Sequence, residues 1–149
     1  IIIMANSDVE IFNNLMSGNG TVNLSIVSYG DETDDPNYYP HPKNIQVHGN
    51  TYGPSGFDPD IETGDLAKVL YEISGGNMPD IFWDGIVPLP QIIFGQPNDE
   101  KLTIVERDAS FLTIKPIKYM LGFSDPTNTD KNDFRGEISP LKEIKIDNF

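Results

Sequence analysis

Hydrophobic and polar positions in this chain follow two periods, and each predicts a different element. In TVNLSIVSYG, Val22, Leu24 and Ile26 alternate with Thr21, Asn23 and Ser25, the period of two of a half-buried strand, and the alternation breaks at Val27. In TGDLAKVLYEISGG the apolar positions instead fall at Leu66, Val69, Leu70 and Ile73, the spacing i, i+3, i+4, i+7 of one helix face. Thr63 or Gly64 opens that segment and Gly75–Gly76 closes it, while Lys68 and Glu72 lie four apart on the wet face. A helix of about ten residues packed on a sheet is predicted there. A second, shorter helix is predicted from Ser7 to about Met16: Ser7 and Glu10 have capping-box spacing, Ile11, Phe12, Leu15 and Met16 share one face, and Gly18 supplies a stop. So short a helix needs tertiary contacts, supplied by the core or by a neighbouring subunit.

Elsewhere the pattern predicts strands and loops. Residues 30–57 form a long excursion rich in Asp, Asn, Gly and Pro, with one short strand at Ile45 to His48, because Pro36, Pro40 and Pro42 each remove a ladder donor. MPDIFWDGIVPLPQIIFG is the most apolar stretch, cut by Pro79, Pro88 and Pro90 into pieces suited to short strands or extended core lining. QIIFG, KLTIVE and SFLTIKPIKYML, separated by the turns QPNDE and RDAS, predict a three-stranded meander over residues 91–121, with Pro116 at an edge or bulge. A polar loop follows, then a last strand with Ile144 and Ile146 inward. No internal repeat of usable length is read. Together these predict one domain over residues 1–149 of α+β class: a mainly antiparallel β-sheet, closed as a sandwich or partial barrel, with two short helices.

Composition narrows the function classes. Ten basic and 23 acidic residues give a net charge of −13, and the first 65 residues hold ten acids against the single base Lys43. Such a surface repels phosphate backbones and anionic lipid, and without a basic stripe neither nucleic acid nor a membrane surface is an expected partner. The absence of cysteine excludes disulfides, a thiol nucleophile and thiolate metal sites. The opening IIIMA is too short for a membrane span and lacks the basic flank of a complete signal peptide.

Chemistry-bearing patterns are sparse. G-x-S-x-G, H-E-x-x-H, P-loop and G-x-G-x-x-G signatures are missing, and no catalytic residue is assigned. The two histidines, His41 and His48, flank the Pro-rich excursion. Asp58, Asp60 and Glu62 alternate, so an extended chain would put three carboxylates on one side, within the means of a hard cation or acid–base chemistry; Pro59 interrupts a regular strand, however, and turn formation with helix capping is the favoured reading. The calcium candidate is DPTNTDKND, with Asp125, Asp130 and Asp133 as metal-ligand candidates beside Asn128 and Asn132. Asp133 takes the place of the turn glycine, and Ser139 that of the bidentate Glu, so a solvated loop competes with a Ca²⁺ site. Tyr38, Tyr39, Tyr52, Phe57 and Trp83 supply rings for a sugar-binding cleft or for loop packing.

The expectation is therefore a non-catalytic structural or interaction subunit of a larger homo- or hetero-oligomeric assembly, such as a virion or similar particle. A virion or extracellular setting is favoured over the cytoplasm. The alternatives are a surface-exposed glycan- or protein-binding module, with calcium as a possible cofactor, and an acidic hydrolase or isomerase using Asp58, Asp60 or Glu62 with His41 or His48.

Overall fold

A computed structural model describes residues 1–30 and 34–141. Its strands are β1 (Ile2–Met4), β2 (Ser7–Phe12), β3 (Leu15–Met16), β4 (Leu24–Val27), β5 (Lys43–His48), β6 (Thr51–Tyr52), β7 (Ile81–Trp83), β8 (Leu102–Val105), β9 (Phe111–Ile114) and β10 (Thr127–Asn128). Three sheets result, ordered β1-β4-β7-β9-β10 (sheet A), β2-β5-β8 (sheet B) and β3-β6 (sheet C), and only the β9–β10 pairing is antiparallel. The chain thus visits A, B and C, then A, B and C again, then A, B and A, so each pass stacks in register on the one before, as in a solenoid. We call these passes coils: β1–β3, β4–β6, β7–β8, and a last one opened by β9.

The antiparallel sandwich or barrel expected from the sequence is therefore wrong: the protein is α/β with mostly parallel sheets. β8 and β9, read as meander partners, lie in different sheets, and residues 89–94 form the helix α2 (Leu89–Phe94) in place of a hairpin arm. Pro116 begins a further short helix, α3 (Pro116–Met120), where proline at the first turn gives up no hydrogen bond. The helix expected over Ser7–Met16 is β2 and β3. Val9 and Ile11 also satisfy a period of two, Asp8 sits at φ +58°, and the parallel partners Ile45 and Val47 decide between the two readings. The strand expected around Ile144 and Ile146 lies outside the described residues.

Registers show why the inner core closes. In sheet A the columns Leu24/Ile81/Phe111 and Ile3/Ile26/Trp83 face inward, and in sheet B Val9/Ile45/Leu102 and Ile11/Val47/Ile104 meet them. The alternate residues of sheet A also face apolar surroundings, since Val27, Phe82 and Leu112 pack against Leu70 of α1 (Asp65–Ile73). Burial on both faces is why β4 is buried at all four positions and why the alternation broke at Val27. The helix predicted around residues 64–74 is present, and its most buried positions are Ala67 and Leu70. Burial of Leu70 stabilises the outer layer by about 1.5–3 kcal/mol, and the single methyl of Ala67 by less.

Two polar ladders mark the corners. Between sheets B and C, Asn50 Oδ1 accepts from Asn14 N (2.9 Å) and Nδ2 (3.0 Å). One coil further on, Glu106 Oε1 accepts from Asn50 N (3.1 Å) and Nδ2 (2.8 Å). Between sheets C and A, Asn23 Nδ2 donates to Asp80 Oδ1 (3.1 Å), and Ser110 N and Oγ donate to Asp80 Oδ2 (2.9 and 2.7 Å). Asn23, Asp80 and Ser110 each immediately precede their strand, and Asn14 and Asn50 hold the same place between their strands, whereas Glu106 directly follows β8; the ladders thereby expose a repeat that the sequence reading missed, since VEIFNNLM over residues 9–16 matches IQVHGNTY over residues 45–52. Asn13 and Gly49, at φ +55° and +62°, turn the same corner in successive coils.

Candidate functional site

The two ends of the coil stack differ. At the β9 end, β10 pairs antiparallel with β9, and a 3-10 helix (Lys131–Phe134) folds under the core. Phe134 meets Trp83 edge-on at 5.3 Å between ring centroids and Phe111 at 5.0 Å. Lys131 Nζ donates to the carbonyls of Arg107 (2.7 Å) and Ala109 (2.6 Å). Gln46 exchanges two hydrogen bonds with the Ser139 backbone, at 2.8 and 2.9 Å, tying the following segment to sheet B. This end is capped.

The β1–β3 end has no such cover among the described residues. β1, β2 and β3 are each outermost in their sheet, so one side of each carries unpaired ladder groups. Ile3, Ile11 and Met16 close the core from within, whereas Ile2, Met4, Phe12 and Leu15 stand exposed on the same coil, Leu15 at 76%. Two carboxylates, Asp8 and Glu10, line the β2 edge. Asp8 Oδ1 accepts from Asn44 Nδ2 (2.6 Å), and Glu10 Oε1 contacts His48 Nε2 (2.8 Å), with Phe12 stacked on the same imidazole at 5.4 Å. Among the described residues this leaves an open, partly apolar, acidic strand edge.

The sequence-derived site residues do not converge. Asp58, Asp60 and Glu62 line one cavity of about 750 Å³ with Tyr71, but neither histidine lines it. Asp60 is held below the usual carboxylate range by hydrogen bonds from Thr63. His48 is engaged by Glu10. His41 Nδ1 lies 3.1 Å from Ser28 Oγ, and burial lowers its pKa against the opposing pull of Asp84. Asp84, whose pKa burial raises, receives the Ser28 N–H (2.6 Å) and the Ile86 N–H (3.0 Å). Ser28 thus stands between the carboxylate and the imidazole, whereas a nucleophilic triad needs the imidazole between serine and carboxylate. The Ser28–His41–Asp84 group ties Ser28 and His41 to the end of β7.

Asp125 pairs with Lys118 (2.6 Å), which lowers its pKa, and Asp130 caps the 3-10 helix while Asp133 accepts from Asn128 Nδ2 (2.8 Å). No three Asp, Glu or His side chains come together as a metal site among the described residues. The aromatic candidates are mostly committed: Tyr38 Oη donates to Tyr29 O, Tyr39 packs edge-on to His41, and Trp83 is buried beneath Phe134. Tyr52 Oη donates to Glu106, and burial together with that carboxylate pushes its pKa far up. Phe57 remains exposed. No helix among the described residues is long and apolar enough to cross a membrane. The chain matches no family model, no curated protein and no solved structure.

What sequence reasoning missed is the open coil edge. Its signal was the aligned [Val/Ile]-[Glu/Gln]-[Ile/Val]-x-[Asn/Gly]-Asn pattern, which places an amide at the same corner in successive coils.

Proposed function

We propose that this chain is a non-catalytic structural module that joins a larger multi-subunit assembly by the uncovered end of its coil stack. The observation that carries this reading is the contrast between the two ends: at one, aromatic packing, a lysine on two carbonyls and an antiparallel strand cover the core and sheet A, leaving β8 and β6 as edges, while the other has no such cover among the described residues and presents three one-sided strands with exposed Ile2, Met4, Phe12 and Leu15. Unprotected parallel edges next to exposed apolar side chains invite pairing, and soluble monomers ordinarily cover or charge them. The commitment of His41, His48 and the candidate carboxylates to local hydrogen bonds supports a scaffold over a reactive centre.

Light scattering coupled to size exclusion, run across protein concentration and on the chain co-expressed with its genomic neighbours, tests this. Assembly is expected, and it should weaken when Phe12 and Leu15 are both changed to Lys. A strict monomer that retains no co-expressed partner would reject the reading.

A further inference from the structure

We infer that the open coil takes a specific occupant: an extended, amide-bearing and basic segment of a partner polypeptide, laid parallel along β2 and β3 as one more coil. This rests on the assembly reading above and adds the partner's chemistry and register.

The register follows from the Asn14–Asn50–Glu106 ladder. In both existing steps, one side-chain oxygen accepts the backbone N–H and the side-chain amide of the residue one coil before it. Asn14 donates through its own amide to Asn50 Oδ1 and to Phe12 O (3.0 Å), but among the described residues nothing donates to Asn14 Oδ1. That oxygen is set to receive the N–H and amide of an incoming Asn. The same step applied to β2 requires aliphatic residues over Val9 and Ile11, matching their partners Ile45 and Val47 on the other side.

Charge selects the rest. Asp8 and Glu10 each use one oxygen, on Asn44 and His48, and their second oxygens have no donor among the described residues. The only base in the first 65 residues is Lys43, so the chain supplies almost no cation to this half of the stack. A second copy would bring a further net charge of −13 onto an edge already lined by Asp8 and Glu10, and at its far end β10 pairs antiparallel with β9, so only β8 and β6 could carry a parallel ladder on. A segment with Lys, Arg or a side-chain amide over Asp8 and Glu10, and a cation beside them, satisfies both oxygens instead. Main-chain ladder bonds supply affinity in this mode, and the alternating side chains supply selection.

The test titrates the full chain with a fluorescent, end-blocked peptide of the sequence KNIQVHGNTYGP, residues 43–54 of this chain. That stretch already forms the rung on the far side of β2 and β3 and carries the required pattern. Saturable binding is expected, with hydrogen-exchange protection appearing on residues 7–16. Replacing the peptide's second Asn by Ala should weaken binding at least tenfold, as should Asn14→Ala in the protein; a scrambled peptide should not bind, and higher salt should weaken the complex. Asp8→Asn should reduce that salt dependence, with circular dichroism verifying the fold of both variants. No binding, or protection along β8 instead, would overturn the inference. So would concentration-dependent self-association abolished by Asn14→Ala, which would make a second copy the occupant. A chain that assembles while the peptide stays silent refutes this inference and leaves the assembly reading intact.

Discussion

Asn50 is the inner rung of the corner ladder, and removing its side chain isolates what the ladder contributes. Its amide nitrogen donates to Ile11 O (2.9 Å), His48 O (3.1 Å) and Glu106 Oε1 (2.8 Å), and its oxygen takes both donors of Asn14. Glu106 is 6% exposed, so Asn50→Ala deprives a buried acceptor of one of its donors while the backbone N–H of residue 50 and Tyr52 remain. A hydrogen bond to a charged group contributes about 1.5–3 kcal/mol and each neutral one about 1 kcal/mol, less where water can replace it. The expected loss is then about 3–4 kcal/mol, a large share of the ~5–15 kcal/mol typical of a folded domain. Asn14 is exposed and water can take over its contacts, so Asn14→Ala should cost under about 1 kcal/mol.

Urea unfolding followed by the emission of Trp83, the single tryptophan, measures both variants. The midpoint should fall sharply for Asn50→Ala and hardly for Asn14→Ala, with the denaturant slope unchanged. In the double variant the two losses should not add, because the side chains share the Asn14 Nδ2–Asn50 Oδ1 bond. Asn50→Asp should be at least as damaging near neutral pH, since it sets a carboxylate against Glu106, and should recover partly in acid. If Asn50→Ala stays within about 1 kcal/mol of the parent, or if the two single variants cost the same, the ladder does not hold this corner.

Three further outcomes follow from other parts of the structure. Leu70→Ala should cost about 2–5 kcal/mol in the same urea assay, because Leu70 is 1% exposed between α1 and the Phe82–Leu112 face, whereas the 42% exposed Leu66→Ala should change little. Gly85 has φ +69°, and a Cβ there would collide with the backbone carbonyl oxygen of Ile114, so Gly85→Ala must displace a backbone segment and should lower the thermal midpoint far more than Gly122→Ala, where a Cβ meets no described neighbour. His41 has a depressed folded pKa, so the unfolded chain takes up its proton first: the stability held above the ordinary imidazole range should fall as pH drops through it, and His41→Gln should flatten that slope between pH 7 and 5 in urea melts. Asp84 acts oppositely: its raised pKa stabilises the protonated form, a contribution present in acid and lost as pH rises through the folded value. Asp84→Asn should therefore steepen the net loss of stability on acidification.

How much of this was legible in the sequence depends on the range of the interactions that decide each element. The helix α1 is local: its spacing and flanking glycines are complete within residues 63–76, and it formed as predicted. The segment Ser7–Met16 is ambiguous locally, because Val9, Ile11 and Met16 fit an extended chain while Ile11, Phe12, Leu15 and Met16 fit a helix. Partners 36 residues away, Ile45, Val47 and Tyr52, resolve it. The same distance hid the sheet's direction. Alternation reports which residues face inward but not whether the neighbouring strand runs parallel, and short strands close together in sequence suggest hairpins.

The site was illegible for a related reason. A search for chemistry looks for titratable groups that converge, and here His41, Asp60, Asp125 and Asp130 each close a loop or cap, while His48 bridges β5 to Glu10 of β2. The informative residues were neutral amides at a fixed corner. Asn14 and Asn50 match only when residues 9–16 are aligned with residues 45–52, and the excursion of residues 28–42 stretches that offset beyond the distance between β1 and β4, so no constant period announces the repeat. Coil-to-coil stacking tolerates such insertions because each coil need only match its neighbours at the strands and corners. A ladder built on that rule ends wherever its last rung lacks a protein donor, and among the described residues that rung is Asn14 Oδ1, on the coil whose three strand edges are also unmatched there. Two independent kinds of unmet hydrogen bonding, main-chain and side-chain, therefore fall on one end of the molecule, which is why binding there should depend on the identity of an incoming corner residue as well as on exposed apolar area.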